Sequence, residues 1–478
     1  MTAIKGTDQG DRALDRIKGS ELLIAPIKIS DPLIDPLIAP VVLKTRKRFG
    51  FWTATALVVG NIIGAGIFAQ PASLAPYGWN AVIAWGISLT GALCLAWVFA
   101  KLSATFPHAG GTHGFMQMGV GEHAAFLGSW GYLVSIWAAN AAMCVTGVSY
   151  LTRLVPAMRT IPGAEPATAM VAIVIITWAN LRALGGGVQL VSSVIKLLPF
   201  AAVIGLAAWA LFRHGMSVLA PVDSVPITPG ATVAAIGITF YAMLGVESAA
   251  VPSGAVENPE TTVPRATMFG TTLSGLVSIF ATCAVALMMQ RDVVSNSKAP
   301  IADFIGGFWG SGASLFVAFC GVVSCFGCLN GWLLVCGELQ AAMSERGSLP
   351  AWFGATNAHG VPSRAILIGS SVTAALTLLA SSRVGVAAFN FAALLATATN
   401  LVLYLFCSIT AIRLMRDGRL PRTIGLIICA TGAVIFSIWA FYGSGWEALG
   451  WGAALIAAGW PLHLLSQRAA ARTTAAMS

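Results

Sequence analysis

The chain has 478 residues, of which 57% are hydrophobic and only 9% charged, with a mean hydropathy of +0.81; soluble domains carry about 25% charged residues. A water-soluble core cannot absorb that much apolar surface, whereas at roughly 20 apolar residues per crossing the length suits about twelve membrane-spanning helices in one domain. The net charge of +9 does not mark a nucleic-acid binder, because the basic residues lie in short clusters between apolar runs rather than along one polar face.

Residues 1–48 differ from the rest, being mixed polar and broken by Pro26, Pro32, Pro36 and Pro40. A cleavable signal needs an unbroken apolar stretch with its charges ahead of it, so a disordered tail is predicted here. Long apolar runs follow at 50–73, 79–103, 123–152, 167–182, 188–212, 231–255, 266–289, 312–343, 364–381, 384–412, 421–441 and 446–466. These are twelve predicted spans, and residues 468–478 form a second tail. An even number of crossings puts both termini on one side. With the N-terminus inside, fifteen Lys and Arg near span ends, from Lys44 to Arg472, share its side, and six, from Arg153 to Arg383, lie opposite. That bias predicts both termini in the cytoplasm.

Trp79, Trp130, Trp352, Trp446 and Trp451 fall near span ends, where they serve either as interfacial anchors or as ordinary packing. The nine Cys lack a close, even framework and read as small packing residues. Cys325 and Cys328 form a CxxC without a second pair, so no metal is predicted there.

Two spans are interrupted. The first contains Gly60, Asn61, Ile62, Ile63, Gly64, Ala65 and Gly66, too glycine-rich to favour a continuous helix; the alternative is close helix packing through Gly60 and Gly64. The sixth contains Tyr241, Ala242, Met243, Leu244, Gly245, Val246, Glu247 and Ser248, a carboxylate inside an apolar stretch. Breaks in corresponding spans of two halves point to a five-plus-five inverted repeat, here 49–212 and 231–412, with the substrate site between the broken helices. Residues 421–467 then supply two peripheral helices. Unwinding frees N–H groups at a half-helix N-terminus for a carboxylate, and C=O groups for an ammonium. A zwitterion fits both. An intramembrane carboxylate such as Glu247 marks an ion path, a proton relay or a counter-charge, unless it merely hydrogen-bonds the broken helix.

At these residues the sequence resembles a known family. GNIIGAGIF at Gly60 to Phe68, PHAGG at Pro107 to Gly111, GVES at Gly245 to Ser248 and ENPETTVPRA at Glu257 to Ala266 together look like the amino acid–polyamine–organocation transporters, from about residue 50 to 467. Within that superfamily the basic amino acid/polyamine antiporters of bacterial inner membranes, arginine/agmatine exchangers among them, look most similar. The resemblance implies a LeuT-like fold with discontinuous helices 1 and 6, alternating access, and a homodimer as one assembly. It implies that Ile62, Gly64, Ala65 and Gly66 offer backbone contacts to the substrate, that Trp332 stacks on its side chain, and that Asn140 supplies a polar contact. Tyr241 stands where the exchangers have a gating Trp, Tyr132 matches another gate, and Glu247 links binding to gating. Taken alone, Trp332 reads as a core aromatic, and Asn140 and Tyr132 as groups bonded to neighbouring helices.

The sequence also departs from that branch. Lys196 in Ile195 to Pro199 resembles the fifth-helix lysine of other branches, whose ammonium takes the place of a sodium ion; otherwise it snorkels from a leaflet. Ala393 and Leu394 stand where the exchangers have hydroxyls. His113, with His108 and His123, is expected in a solvated loop rather than at a metal. The expected function is thus exchange of arginine for agmatine across the bilayer without a cofactor, with proton-coupled amino acid or polyamine uptake as the alternative. A membrane-embedded enzyme lacks convergent reactive groups, and a channel lacks polar stripes.

Overall fold

The computed structural model describes residues 50–107, 109, 111–183, 195–219, 225–248, 256–383 and 385–477. The expected N-terminal tail, His108 and the start of the expected fifth span lie outside the described residues. In chain order the helices are α1 (Phe51–Ile62), α2 (Ala65–Leu74), α3 (Trp79–Thr105), α4 (Gly111–Val120), α5 (Glu122–Leu154), α6 (Ala164–Leu181), α7 (Leu197–His214), α8 (Pro229–Tyr241), α9 (Pro259–Met288), α10 (Arg291–Ser295), α11 (Pro300–Glu345), α12 (Ser363–Ser381), α13 (Val386–Arg416), α14 (Ile424–Gly443) and α15 (Gly445–Met477). Among the described residues, eleven helical stretches are long and apolar enough to cross a membrane, α1 and α2 counting as one. The apolar helix α8, of 13 residues, stands in the place of the sixth predicted span.

Proline starts α8, α9 and α11 at their first position, where its missing N–H has no helical partner to lose. Thr228 and Thr423 cap α8 and α14 by accepting from the N–H of Ala231 and Leu426, as short hydroxyl side chains do at helix N-termini. Burial is inverted relative to a soluble protein. Asn80, Asn140, Lys196, Glu247 and Asn400 are buried, while Phe212, Ile424, Trp439 and Leu465 are exposed on outer helices. Such a surface is stable against hydrocarbon, not water.

The 33-residue α5 is the central post: its most apolar 18-residue stretch is 94% buried within the protein. It packs along α11 and α13, while α3 packs along α9. These pairings set the third span against the eighth and the second against the seventh, the equivalents expected of two inverted five-helix repeats. Trp130 is one of the packing residues. It is buried on α5, its indole N–H donates to Leu455 O (3.0 Å), and its ring lies edge-on to Trp137 at 5.5 Å. The other four tryptophans named as anchors are exposed. α11 departs from helical geometry at Gly310 (φ 81°, ψ −177°), so residues 300–309 form a separate segment at the head of the eighth span.

The loop reading of His113 is corrected by the structure. Its ring is buried on α4, with Nδ1 2.8 Å from Ser129 Oγ on α5 and Nε2 3.2 Å from Ser348 Oγ beyond α11. Burial and then the neighbouring Arg346 guanidinium push it down to about 4 from its ordinary 6.5. Because the folded value lies below the unfolded one, the stability from keeping His113 neutral is complete above about pH 6.5. It is lost as pH falls through about 4, up to roughly 3 kcal/mol. Replacing His113→Gln, which cannot charge, should therefore flatten the fall in thermal inactivation midpoint between pH 7.5 and 4. An unchanged slope would reject His113 as its source.

Candidate substrate site

The first span breaks where the glycines predicted. α1 ends at Ile62, Ile63 and Gly64 leave helical geometry, and α2 restarts at Ala65. The break keeps several of its polar groups satisfied. Ile63 N–H donates to Val59 O and Gly64 N–H to Ile62 O, both at 2.9 Å, and the Lys196 ammonium donates to Gly60 O. At the start of α2 the N–H groups of Ala65, Gly66 and Ile67 have no intrahelical acceptor, and the helix dipole adds partial positive charge at that end.

Side chains from three other spans close on this opening. A Cβ on Gly64 would stand 3.7 Å from Met143 Cε and 3.8 Å from Cys328 Sγ; one on Gly66 would stand 3.1 Å from the Tyr241 ring. Glycine at 66 thus lets the ring at the end of α8 rest closely on the first turn of α2, and a side chain there would push the ring by a few tenths of an ångström. The Tyr241 hydroxyl donates to Ala139 O on α5 (3.4 Å), and its ring meets Phe389 of α13 edge-on at 5.5 Å. Asn140 lies between Ala139 and Met143 and is fully buried, and neither its side-chain nitrogen nor its oxygen has a partner among the described residues. An unpartnered buried amide costs about 1–3 kcal/mol per polar group. Trp332 is buried one turn beyond Cys328 on α11, hence on the face that reaches the break. Of the departures, Leu394 packs against Gly237 of α8, and Ala393 O accepts from the Thr397 hydroxyl.

The sixth span leaves helical geometry after Tyr241 and runs in turns through Ser248; residues 249–255 lie outside the described residues. Gly245 turns with φ at 106° against Asn61, a conformation costly for any residue with a Cβ. Glu247 is fully buried, and the Tyr404 hydroxyl of α13 donates to its Oε2 at 2.5 Å. The same hydroxyl accepts from Gly245 N–H (3.4 Å) and from the Asn400 amide (3.3 Å). Tyr132 of α5 faces the same carboxyl. The structure thus unites Tyr132 and Glu247 and adds Tyr404, which the sequence reading missed. Its one signal was its position one turn beyond Asn400 in a span that also carries Thr397, Thr399 and Ser408.

Lys196 does not snorkel. It is buried, with Nζ on Gly60 O and 3.7 Å from Cys328 Sγ, so its ammonium lies between the first and eighth spans. Cys328 in turn stands 3.9 Å from Ile63 O.

Comparisons with known proteins agree with this geometry. The family model for amino acid permeases matches residues 49–460. The cadaverine/lysine antiporter of Escherichia coli K12 is 30% identical over 417 residues, which span 84% of this chain and 91% of the antiporter. The putrescine transporter PotE of the same strain is 26% identical over 430 residues, 88% and 97% of the two chains. The crystal structure of MhsT with L-phenylalanine aligns with a TM-score of 0.59, covering 84% of this chain and all of that one at 14% identity, a likeness of fold.

Substituting Tyr404→Phe removes the hydroxyl that joins Glu247, Gly245 and Asn400 while keeping the ring. Leaving a buried carboxyl oxygen and two donors short of partners costs about 1–3 kcal/mol. The thermal inactivation midpoint should fall and substrate exchange slow at least tenfold. A variant with the midpoint and exchange rate of the parent would deny the hydroxyl that part.

Proposed function

The chain belongs to the amino acid permease family, and on that premise we propose that it is an antiporter exchanging a basic amino acid for a decarboxylated amine. Within that class we propose arginine and agmatine as the pair. The observation that carries the reading is the unwound first span: the first N–H groups of α2 lack intrahelical acceptors, and Asn140 on α5, a helix packed against α2, carries a buried amide with no partner among the described residues. A substrate carboxylate suits the N–H groups, and a guanidinium suits the Asn140 oxygen and the face of Trp332. The named substrates of the relatives, lysine, cadaverine and putrescine, are cations of the same class.

In this reading Ile62, Gly64, Ala65, Gly66, Asn140, Tyr241 and Trp332 contact the substrate. Tyr132 and Glu247 gate one side of it. We also assign both termini to the cytoplasm, from the excess of basic residues on their side, and allow for a homodimer. Lys196 favours a second reading. A buried ammonium held between the first and eighth spans is an intramembrane charge placed where those spans move, the position of a coupling group, which suits proton-coupled uptake.

Radiolabelled arginine uptake into proteoliposomes separates the two. Exchange predicts uptake that requires internal agmatine and is indifferent to a pH gradient, with lysine, cadaverine and putrescine tried as counter-substrates. Uptake driven by the gradient into empty vesicles means coupling through protons, and no uptake in either condition rejects both readings. Separately, Trp332→Ala should raise the Kd for arginine roughly thirtyfold, since a desolvated cation–π contact is worth about 2 kcal/mol. Unchanged calorimetric binding would take Trp332 out of the site.

A further inference from the structure

Tyr150 lies ten residues beyond Asn140 on α5, ~15 Å along the helix, while Tyr132 lies eight residues before it, ~12 Å the other way. The two tyrosines therefore bracket the site on one post. Tyr132 faces Glu247, as described above. Tyr150 is fully buried, and its hydroxyl donates to Phe68 O of α2 at 2.9 Å and accepts from Ile301 N–H of α11 at 3.3 Å. Phe68 is on the first turn of the half-helix that begins at the break, and its ring packs edge-on to Tyr150 at 5.4 Å and on Phe200 at 4.7 Å. Ile301 is the second residue of the segment 300–309 that Gly310 separates from the eighth span. One buried oxygen carried by α5 thus bonds two further elements.

We propose that Tyr150 is a positioning residue for transport, whose single hydroxyl ties α2 to the segment 300–309 and holds the site shut on the side opposite Glu247. The segment is also fastened to the end of α5. Arg153 pairs with Asp303 at 3.3 Å, and the Ser297 hydroxyl donates to Asp303 at 2.6 Å. That pair is partly exposed, 39% and 28%, so solvent screens it and it holds little. The Tyr150 bonds are dry, and neither Phe68 O nor Ile301 N–H can turn to water when they break, which makes them the stiffer tie. A hydrogen bond fails within about 1 Å of stretch. Hence α2 cannot tilt away from α5 without releasing either the segment or itself.

The proposal rests on the transport reading, and its test separates the two. Cys328, against the break and buried, reports opening. Tyr150→Phe keeps the ring and removes both bonds. In detergent-purified protein without substrate, modification of Cys328 by a membrane-impermeant thiol reagent, followed by peptide mass spectrometry, should rise about tenfold, and added arginine should restore protection. Cys328 equally protected in variant and parent overturns the role of Tyr150. Parent protein that exchanges no substrate in proteoliposomes overturns the transport reading instead. If Tyr150→Phe unfolds, shown by labelling of the packed Cys144 too, then Ile301→Pro, which deletes the N–H and exchanges the buried Ile301 side chain for the proline ring, must give the same tenfold rise, and its absence rejects the proposal.

Discussion

Inside a bilayer a peptide group without a partner has no water to turn to, and each such group costs several kcal/mol. A break in a membrane helix therefore survives only where other groups take up its freed carbonyls and amides. At the first span that work is divided unevenly. The carbonyl end is occupied, Gly60 O by the Lys196 ammonium and Ile62 O by the Gly64 amide. The amide end, at the start of α2, has no intrahelical acceptor, and Asn140 on the neighbouring α5 has no partner among the described residues. That asymmetry gives the proposed site its sign: an acceptor suits the amide end, and a hydrogen-bonding cation suits the Asn140 oxygen.

The two deep charges are handled by the same rule. Glu247 and Lys196 do not pair with each other; each is held by neutral groups, a tyrosine hydroxyl in one case, a carbonyl and a thiol in the other. A buried ion pair is rigid once formed and costly to separate. Charges held by neutral dipoles can exchange partners as spans shift, and a hydroxyl, being donor and acceptor at once, suits either protonation state of a carboxyl. Each of the two sits at a junction of spans from different repeats, which is where relative motion is largest in an alternating-access cycle.

The parts of this arrangement visible in the sequence are those in which one residue contradicts its surroundings. A glycine run in a hydrophobic span, a lone glutamate and a lone lysine each stand out because the bilayer tolerates them only for cause. Tyr404 did not stand out, since a tyrosine in an apolar helix is unremarkable until tertiary packing brings it to a carboxylate 157 positions away. Hydropathy also carried the sixth span to residue 255, though the helix stops at Tyr241, because transfer scales price side chains and are blind to backbone conformation. Trp130 was ambiguous for a related reason. It lies near the end of an apolar run, but α5 begins at Glu122, so the tryptophan enters two turns inside the helix and is covered.

The central position of α5 ties these observations together. A helix so thoroughly enclosed gains nothing from lipid, and its inward groups can be spent on contacts with moving parts: Tyr132 toward the sixth span, Ala139 and Asn140 at the break, Tyr150 toward α2 and the segment before Gly310. Because these groups share one rigid rod, their spacing is fixed at 1.5 Å per residue, and a displacement at one end is not absorbed before it reaches the other. Both ends are bonded in this structure, so if α5 stays still while the broken helices rock, either side opens by releasing its own hydroxyl bonds while the other end holds. The two sides of the site can then alternate by way of this doubly closed state, provided that both locks are never open together.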